Sequence, residues 1–334
     1  MIAIFKVMTW NVENLFHPAL GASEADQRLF QQKIQLLAGV INQLDPDVVA
    51  LQEIGGDEPL HDLKQSLGGT YTHQAVSAFP DRRGIRVAFL SKHMLDEPAE
   101  DIVDFPPGPA LDINGFTETG NSTPVNRMGR GALRVRVTKN GLTVDLITAH
   151  LKSKLLTFPR PGGSSFTPRD EEERAQVAGI ALMQRTAEAV TLRIRANALL
   201  AGNNRNPLLL LGDFNDVPEA QTSLVLVGPP GSEIGTQGFD RPDQGDDARL
   251  FNLAPVIVPK RRFSRVYRGR GELLDQIFAS AEFFPIGQDN HRRLPEVDSH
   301  IDFNSQLPSV GDNPSERAGE IVPDHAPVTA TFNL

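Results

Sequence analysis

The chain has 334 residues, 40% of them hydrophobic and 22% charged, which is the composition of a folded globular protein and excludes wholesale disorder. It has no cysteine, so disulfides, thiolate metal sites and cysteine nucleophiles are excluded, and a net charge of −9 argues against coating nucleic acid by bulk electrostatics. No run approaches the roughly 18 consecutive apolar residues of a membrane span. The amino terminus MIAIFKVMTWNVENLF lacks the basic-then-apolar pattern of a signal peptide, so the expectation is a cytoplasmic protein with no membrane contact and no obligate protein partner.

In chain order, a strand is predicted at 4–12 and a helix at 24–44. Ser23 caps that helix with Asp26 three residues on, and its apolar face is Phe30, Ile34, Leu37, Ile41 and Leu44. A strand at 47–53, a short helix at 59–67 and a strand at 85–92 follow. Strands at 132–138 and 142–153 alternate with period two, and Asn140-Gly141 between them predicts a hairpin, so part of a sheet is antiparallel. A long helix at 170–201 carries acids in its first turn, arginines nearer its far end and Gly202 as its stop. Strands at 207–215, 273–280 and 327–334 complete the set. Proline-, glycine- and polar-rich segments at about 96–130, 157–169, 228–247 and 287–323 read as long loops. None reads as a linker, and there is no internal repeat. The expected architecture is one domain, 1–334, of two packed mixed β-sheets with helices outside.

The informative feature is what stands where the apolar runs end. TWNVEN ends in Asn11 and Glu13, VVALQE in Glu53, LITAH in His150 and LLLLGDFN in Asp213 and Asn215. LLDQIFAS carries Asp275 inside an apolar run, and VPDHAPV opens its strand with Asp324-His325. Each alone has a bland reading as an exposed strand end, an Asx turn or a satisfied histidine. Six together are hard to read that way. Glu53, with Glu13 nearby, offers hard oxygen ligands suited to Mg²⁺ or Mn²⁺, whereas no His-x-x-x-His spacing suggests zinc. His325 paired with Asp275 makes a carboxylate–imidazole couple, Asp213 can orient or deprotonate a water, and Asn215 and Asn11 can donate to a phosphate. Between Lys260 and Arg270 the run KRRFSRVYRGR holds six basic residues and no acid. Either it is a solvated surface, or Arg261, Arg262, Arg265 and Tyr267, with Lys152 beside His150, meet a phosphate backbone.

TWNVENL, LQE, TAHLKS, GDFND, LLDQIFAS and PDHAPV stand in the order found in the endonuclease/exonuclease/phosphatase superfamily, which this chain resembles over nearly its whole length. The resemblance implies a four-layer α/β/β/α sandwich with the site at one edge. It implies a divalent metal at Glu53, with Asn11, Glu13 and Asp324 near the metal or the phosphate, and a phosphate contact at His150. It further implies Asp213 with Asn215 as the GDxN pair, and His325 with Asp275 as its carboxylate partner. Many bacterial relatives read LDH where this chain has Leu274-Asp275-Gln276, and an aromatic where Arg265 stands. The expected activity is metal-dependent cleavage of a phosphodiester in DNA, RNA or a smaller molecule. A phosphomonoesterase is the rival, although the WCDR-like segment of 5-phosphatases is absent. No apolar hairpin suggests a sphingomyelinase. A catalytically inactive binding module would be expected to lose Glu53, Asp213 or His325, and all three are present.

Overall fold

Two six-stranded sheets lie face to face in the computed structural model, which describes residues 4–96, 98–107, 112–116, 122–202, 206–241 and 246–333. The first part of the chain forms β1 (Ile4–Leu15), α1 (Glu24–Leu44), β2 (Val48–Ile54), α2 (Asp57–Ser66), β3 (His73–Val76) and β4 (Arg86–Ser91). Next come β5 (Glu100–Asp104), β6 (Ile113–Phe116), β7 (Ser122–Val125), β8 (Arg127–Lys139), β9 (Leu142–His150), β10 (Phe158–Arg160), β11 (Gly163–Ser165) and α3 (Glu171–Leu200). The last part forms β12 (Leu208–Asp213), α4 (Gln221–Val227), β13 (Leu250–Asn252), β14 (Arg265–Tyr267), β15 (Arg270–Glu272), β16 (Asp275–Ser280), β17 (Glu296–Ser299), β18 (Ser309–Val310) and β19 (Val328–Asn333).

One sheet runs β17-β19-β1-β2-β4-β3 and the other β13-β16-β12-β9-β8-β5. Each is antiparallel except for its central pair: β1 is parallel to β2, and β9 to β12. Alternation of side chains builds the layers. Val7, Val48, Ala50, Leu209, Leu211 and Leu146 fill the space between the sheets. Their neighbours Met8, Trp10, Val49 and Leu51 pack on α1 and α2, while Ile147, Leu208 and Leu210 pack on α3. The four-leucine run is therefore the signature of a strand covered on both faces. Helices on the outer faces of both sheets give the four layers α/β/β/α.

The capping box at Ser23 and Asp26 is present, and Asn140 and Gly141 both take positive φ in the β8–β9 hairpin. Asp170 caps α3, but the last turn of that helix has no basic residue; Arg193 and Arg195 stand earlier, so they do not serve its dipole. The segments expected to be loops are the main differences. Segment 96–130 contains β5, the β6–β7 hairpin and the start of β8, and 157–169 contains the β10–β11 hairpin. Segment 287–323 contains β17, which extends the first sheet beyond β19. Glycines and prolines masked these short edge strands, which take their stability from pairing rather than from apolar content. Parts of 96–130 and 228–247, and Leu334, lie outside the described residues.

Gly212 explains the glycine between the leucines and Asp213. It has φ +154°, and a Cβ there would lie 2.0 Å from the carbonyl oxygen of Ala149 on β9. Gly212→Ala should therefore force the two central parallel strands apart and cost about 3 kcal/mol or more, read as a fall in the denaturant midpoint. An unchanged midpoint would show that the strands separate freely at this position.

Candidate active site

The parallel pair β1/β2 aligns Asn11 with Gln52, and just beyond both strands slip register: between Asn11 and Leu15, and between Gln52 and Ile54 where β2 meets β4. Such bulges re-aim side chains. In them Glu13, Asn14 and Glu53 take φ of 51°, 58° and 67°. Glutamate gains no local hydrogen bond in the left-handed region, so Glu53 is held there at a cost. Its carboxylate supplies the compensation. Oε1 accepts from Asn11 Nδ2 at 3.3 Å and Oε2 from the Asn14 N–H at 3.0 Å.

On the facing sheet, β12 pairs with β9 and β16 so that Asp213 stands in register with His150 on one side and Asp275 on the other. Asp213 Oδ2 accepts from Asn11 Nδ2 at 3.0 Å and lies 3.3 Å from His150 Nε2 and 3.9 Å from His325 Nε2. Its Oδ1 accepts from the Asn215 N–H at 2.9 Å, and Asn215, at φ 52°, donates from Nδ2 to the Leu151 carbonyl at 3.0 Å. His325 Nδ1 is 2.6 Å from Asp275 Oδ2. The His325 carbonyl accepts from Trp10 Nε1 at 2.8 Å, and its backbone bridges to Arg265 of β14, so the residue is held by Trp10 of the first sheet, Asp275 of the second and the small β14 ladder.

Burial and neighbouring carboxylates set the charges. Burial, reinforced by the Asp275 charge, pushes Asp213 up to about 6 against the opposing effects of His325, Asn11 and Asn215. Burial alone would lower His325, but Asp275, Asp324 and Asp213 outweigh it and raise it to about 10. Burial, with the positive charges of Arg130, His325, Arg83 and Lys152, holds His150 well below the ordinary histidine range. At neutral pH the row thus contains a neutral His150, an Asp213 carboxylate with a proton affinity near working pH, and a His325 imidazolium on Asp275.

Asn11, Glu53, His150, Asp213, Asn215, Asp275 and His325 are thus brought together. Glu13 and Asp324 lie beside them but are taken up by arginines. Arg317 Nε and Nη2 donate to the two oxygens of Glu13, each at 2.6 Å, and the Asp324 N–H adds a bond to Glu13 Oε2 at 2.9 Å. Arg265 Nε donates to Asp324 Oδ2 at 3.1 Å. Of the basic run, Arg261 pairs with Asp298 and Asp302, and Arg262 donates to the carbonyls of Pro255 and Ile257. Tyr267 donates to Asp312 at 2.5 Å. Arg317 and Lys33, whose ammonium donates to the Glu13 carbonyl, are part of this arrangement and were not singled out in the sequence.

Two sets of donors face a cation. Asp213, Asp275 and His325 offer ligand atoms within 4.8 Å of one another. A cation seated among them would have to break the 2.6 Å bond that couples His325 to Asp275. Glu53 offers hard carboxylate oxygens whose protein partners are the Asn11 amide and the Asn14 N–H, and this donor chemistry fits Mg²⁺ or Mn²⁺.

The sequence profile of the Endonuclease/Exonuclease/phosphatase family matches residues 8–297, nearly the whole chain. The chain belongs to the endonuclease/exonuclease/phosphatase family. Solved structures similar to it include truncated Caenorhabditis elegans TDP2, at 17% identity and TM-score 0.58, covering 99% of this chain and 98% of that one. An endonuclease/exonuclease/phosphatase family protein from Bacteroides thetaiotaomicron covers 100% of both chains at 14% identity and TM-score 0.54. The endonuclease/exonuclease/phosphatase from Beutenbergia cavernae is 18% identical, TM-score 0.51, covering 99% of this chain and 72% of that one. At these identities the likeness establishes the fold. No match to this sequence was found among curated proteins. Endonuclease/exonuclease/phosphatase proteins are generally divalent-metal-dependent phosphoesterases, and this member keeps acidic and imidazole groups placed for that chemistry. No helix among its described residues is long and apolar enough to cross a membrane.

The upward shift at His325 has a thermodynamic consequence. A histidine raised from about 6.5 when unfolded to about 10 when folded contributes stability that is full below 6.5 and lost as pH climbs toward 10. In EDTA, the stability of the wild-type protein relative to His325→Gln should shrink across that window in denaturant titrations. A difference that is flat with pH would mean that the imidazole is not charged in the folded protein.

Proposed function

We propose that this chain is a phosphodiester hydrolase of the nuclease type, acting through Mg²⁺ or Mn²⁺, with residues 1–334 as one catalytic unit. The observation that carries the reading is the His150–Asp213–Asp275 row, with His325 on Asp275 and Glu53 joined to Asp213 through Asn11. Glu53 and the oxygen of Asn11 would hold the cation, with Asp324 and Glu13 contributing charge from their places beside Arg265 and Arg317. When bound, the cation supplies Lewis-acid polarisation of the phosphate and stabilises the leaving oxygen.

The chain's own groups do the rest. Asp213 lies at the centre of the row and has a proton affinity near neutral pH, so it takes the proton of the attacking water. Its Oδ1 is fixed by the Asn215 N–H and its Oδ2 by Asn11, which leaves little freedom to miss the water. The His325 imidazolium, anchored by Asp275, presents Nε2–H to the phosphate and stabilises charge as it develops. His150, neutral and buried, offers a second ring nitrogen to the same oxygens. Every group of the row is present, which supports an active enzyme over an inactive module on the same fold.

The decisive assay is cleavage of supercoiled plasmid, linear duplex, single-stranded DNA and RNA with Mg²⁺, Mn²⁺ or EDTA. Cutting that is abolished by EDTA, and lowered at least about 10²-fold in kcat by Asp213→Asn or His325→Gln, is the expected result. If every polymer survives intact while a small phosphomonoester is hydrolysed, the enzyme is a phosphatase. Glu53→Gln should collapse turnover and its Mg²⁺ dependence together. Undiminished activation by Mg²⁺ in that variant would remove Glu53 from the metal site.

A further inference from the structure

One group of cations next to the catalytic row has no role in the chemistry above. Arg130 stands on β8 just before Gly131, whose φ of +68° kinks the strand. Its Nη1 donates at 3.0 Å to the Leu151 carbonyl, the same oxygen that accepts from Asn215 Nδ2 at 3.0 Å. The guanidinium is therefore one carbonyl away from a catalytic amide. Asp81 aims a second guanidinium at the same place. Its Oδ1 accepts from the N–H groups of Arg83 (2.8 Å) and Ile85 (2.9 Å), closing the turn that carries Arg83. Its Oδ2 faces Arg130 Nε at 3.4 Å and Arg83 Nε at 3.7 Å. One carboxylate oxygen is thus shared loosely between two guanidinium groups, and Arg130 Nε is buried without a hydrogen-bond partner.

Lys152, in the loop after β9, adds a third charge. Among the described residues its half-buried ammonium has no hydrogen-bond acceptor, and its cationic neighbours are Arg130, Arg185 and Arg83. The nearby acid, Glu188, offsets part of this charge without an ion pair: its oxygens accept from the N–H groups of Gly129 at 2.9 Å and Lys152 at 2.6 Å. Arg185 pairs with Asp216 at 3.2 Å, whereas no described carboxylate stands within ion-pair distance of the Lys152 ammonium. Burial, and after it the neighbouring Arg130, pushes the Lys152 ammonium down to about 8 against the opposing charge of Glu188. The contrast with the 260–270 run is direct, since Arg261, Arg265 and Arg268 there each have a carboxylate of their own.

We propose that Arg83, Arg130 and Lys152 form an anion subsite beside the catalytic row that takes a second phosphate, adjacent to the one being cleaved. Two guanidinium forks and an ammonium make a phosphate recogniser, and they lie close enough to act on His150. The inference rests on the phosphodiesterase reading and narrows it: the preferred substrate carries at least two phosphates in a chain, as a polynucleotide does. Arg83 is the solvent-facing entrance, with its side chain 56% exposed, and Arg130 is the inner wall, 12% exposed.

The test is binding in EDTA, where no turnover intervenes, of thymidine dinucleotides with and without an added 5′ or 3′ phosphate. The wild-type protein should bind one of the two-phosphate forms at least about tenfold tighter than the one-phosphate form, the scale of one good charge-assisted contact. Arg83→Gln/Lys152→Gln should bring that ratio to about 1. Should the double variant not fold, Arg83→Gln alone, at an exposed position, should lower the ratio about threefold. A ratio near 1 in the wild type, or one that survives in the variants, would overturn the subsite. The outcome is separable from the hydrolysis assay. Plasmid cleavage with a ratio of 1 rejects the subsite and keeps the enzyme, whereas a tenfold ratio without cleavage of any diester does the reverse.

Discussion

Asn11 donates from one side-chain nitrogen to Glu53 on the neighbouring strand and to Asp213 on the facing sheet. That amide ties the Glu53 carboxylate to that of Asp213, so the separation between them is a property of how the two sheets are docked. The apolar layer between the sheets cannot set this alone, because hydrophobic contact is non-directional. Directed bonds lie immediately below the site. Gln52, wholly buried, bonds with Thr9 on its own sheet and donates to Thr148 Oγ1 across the interface at 3.0 Å. A polar group left unpaired in that layer would incur a desolvation penalty of about 1–3 kcal/mol, so sliding one sheet past the other is opposed. The register thus fixed is the one at which Asn11 reaches both acids.

Crowding of charge is the second constraint. Glu13, Glu53, Asp213, Asp275 and Asp324 converge on one edge, and five carboxylates drawn out of water would repel and take up protons. The fold assigns most of them a cation. Glu13 has Arg317, Asp324 has Arg265 and Asp275 has the His325 imidazolium. Glu53 and Asp213 are left without a cation of their own in direct hydrogen bond, joined instead by a neutral amide. Those are the two carboxylates to which the proposed mechanism assigns a metal and a proton. The left-handed backbone at Glu13, Asn14, Glu53 and Asn215 is the structural expense of bringing these groups to a point; the first three lie in the bulges that interrupt the ladders and Asn215 just past the end of β12.

This division shows why part of the molecule was readable from the sequence. A strand buried on both faces must be apolar throughout, so Asp213 after four leucines or Asp275 inside LLDQIFAS stands out against its surroundings. The parallel pairing of β1 with β2 and β9 with β12 then carries those residues to one edge. What could not be read is whatever depends on partners distant in sequence. Glu13 and Arg317 are 304 residues apart, and the acids that neutralise the basic run, Asp298, Asp302 and Asp312, sit in a segment that reads as loop. Nor does anything in GRGALRVRV mark Arg130 as the neighbour of Asn215, because the contact passes through a backbone carbonyl that every residue possesses. Side-chain identity signals chemistry, while backbone-mediated proximity leaves no trace in composition.

The two rims of the site differ in kind, and the difference gives it a direction. On the side of β14, Arg261, Arg265 and Arg268 are each paired with a carboxylate and Arg262 is held on backbone carbonyls, so most of that wall's guanidinium groups are already engaged. On the side of β8 and the 81–85 turn, Arg83 and Arg130 share Asp81, and Lys152 beside them has no ion-pair partner among the described residues. On the proposed reading, a phosphate chain would lie toward the second wall, and that would fix which ester bond meets Asp213. The catalytic groups come from strand ends held by the core, whereas the cationic wall comes from a turn, a strand kink and a loop. Segments of that kind can be altered without moving the row. Substrate choice on this scaffold is thereby a matter of where the uncompensated charge is placed around an otherwise fixed centre.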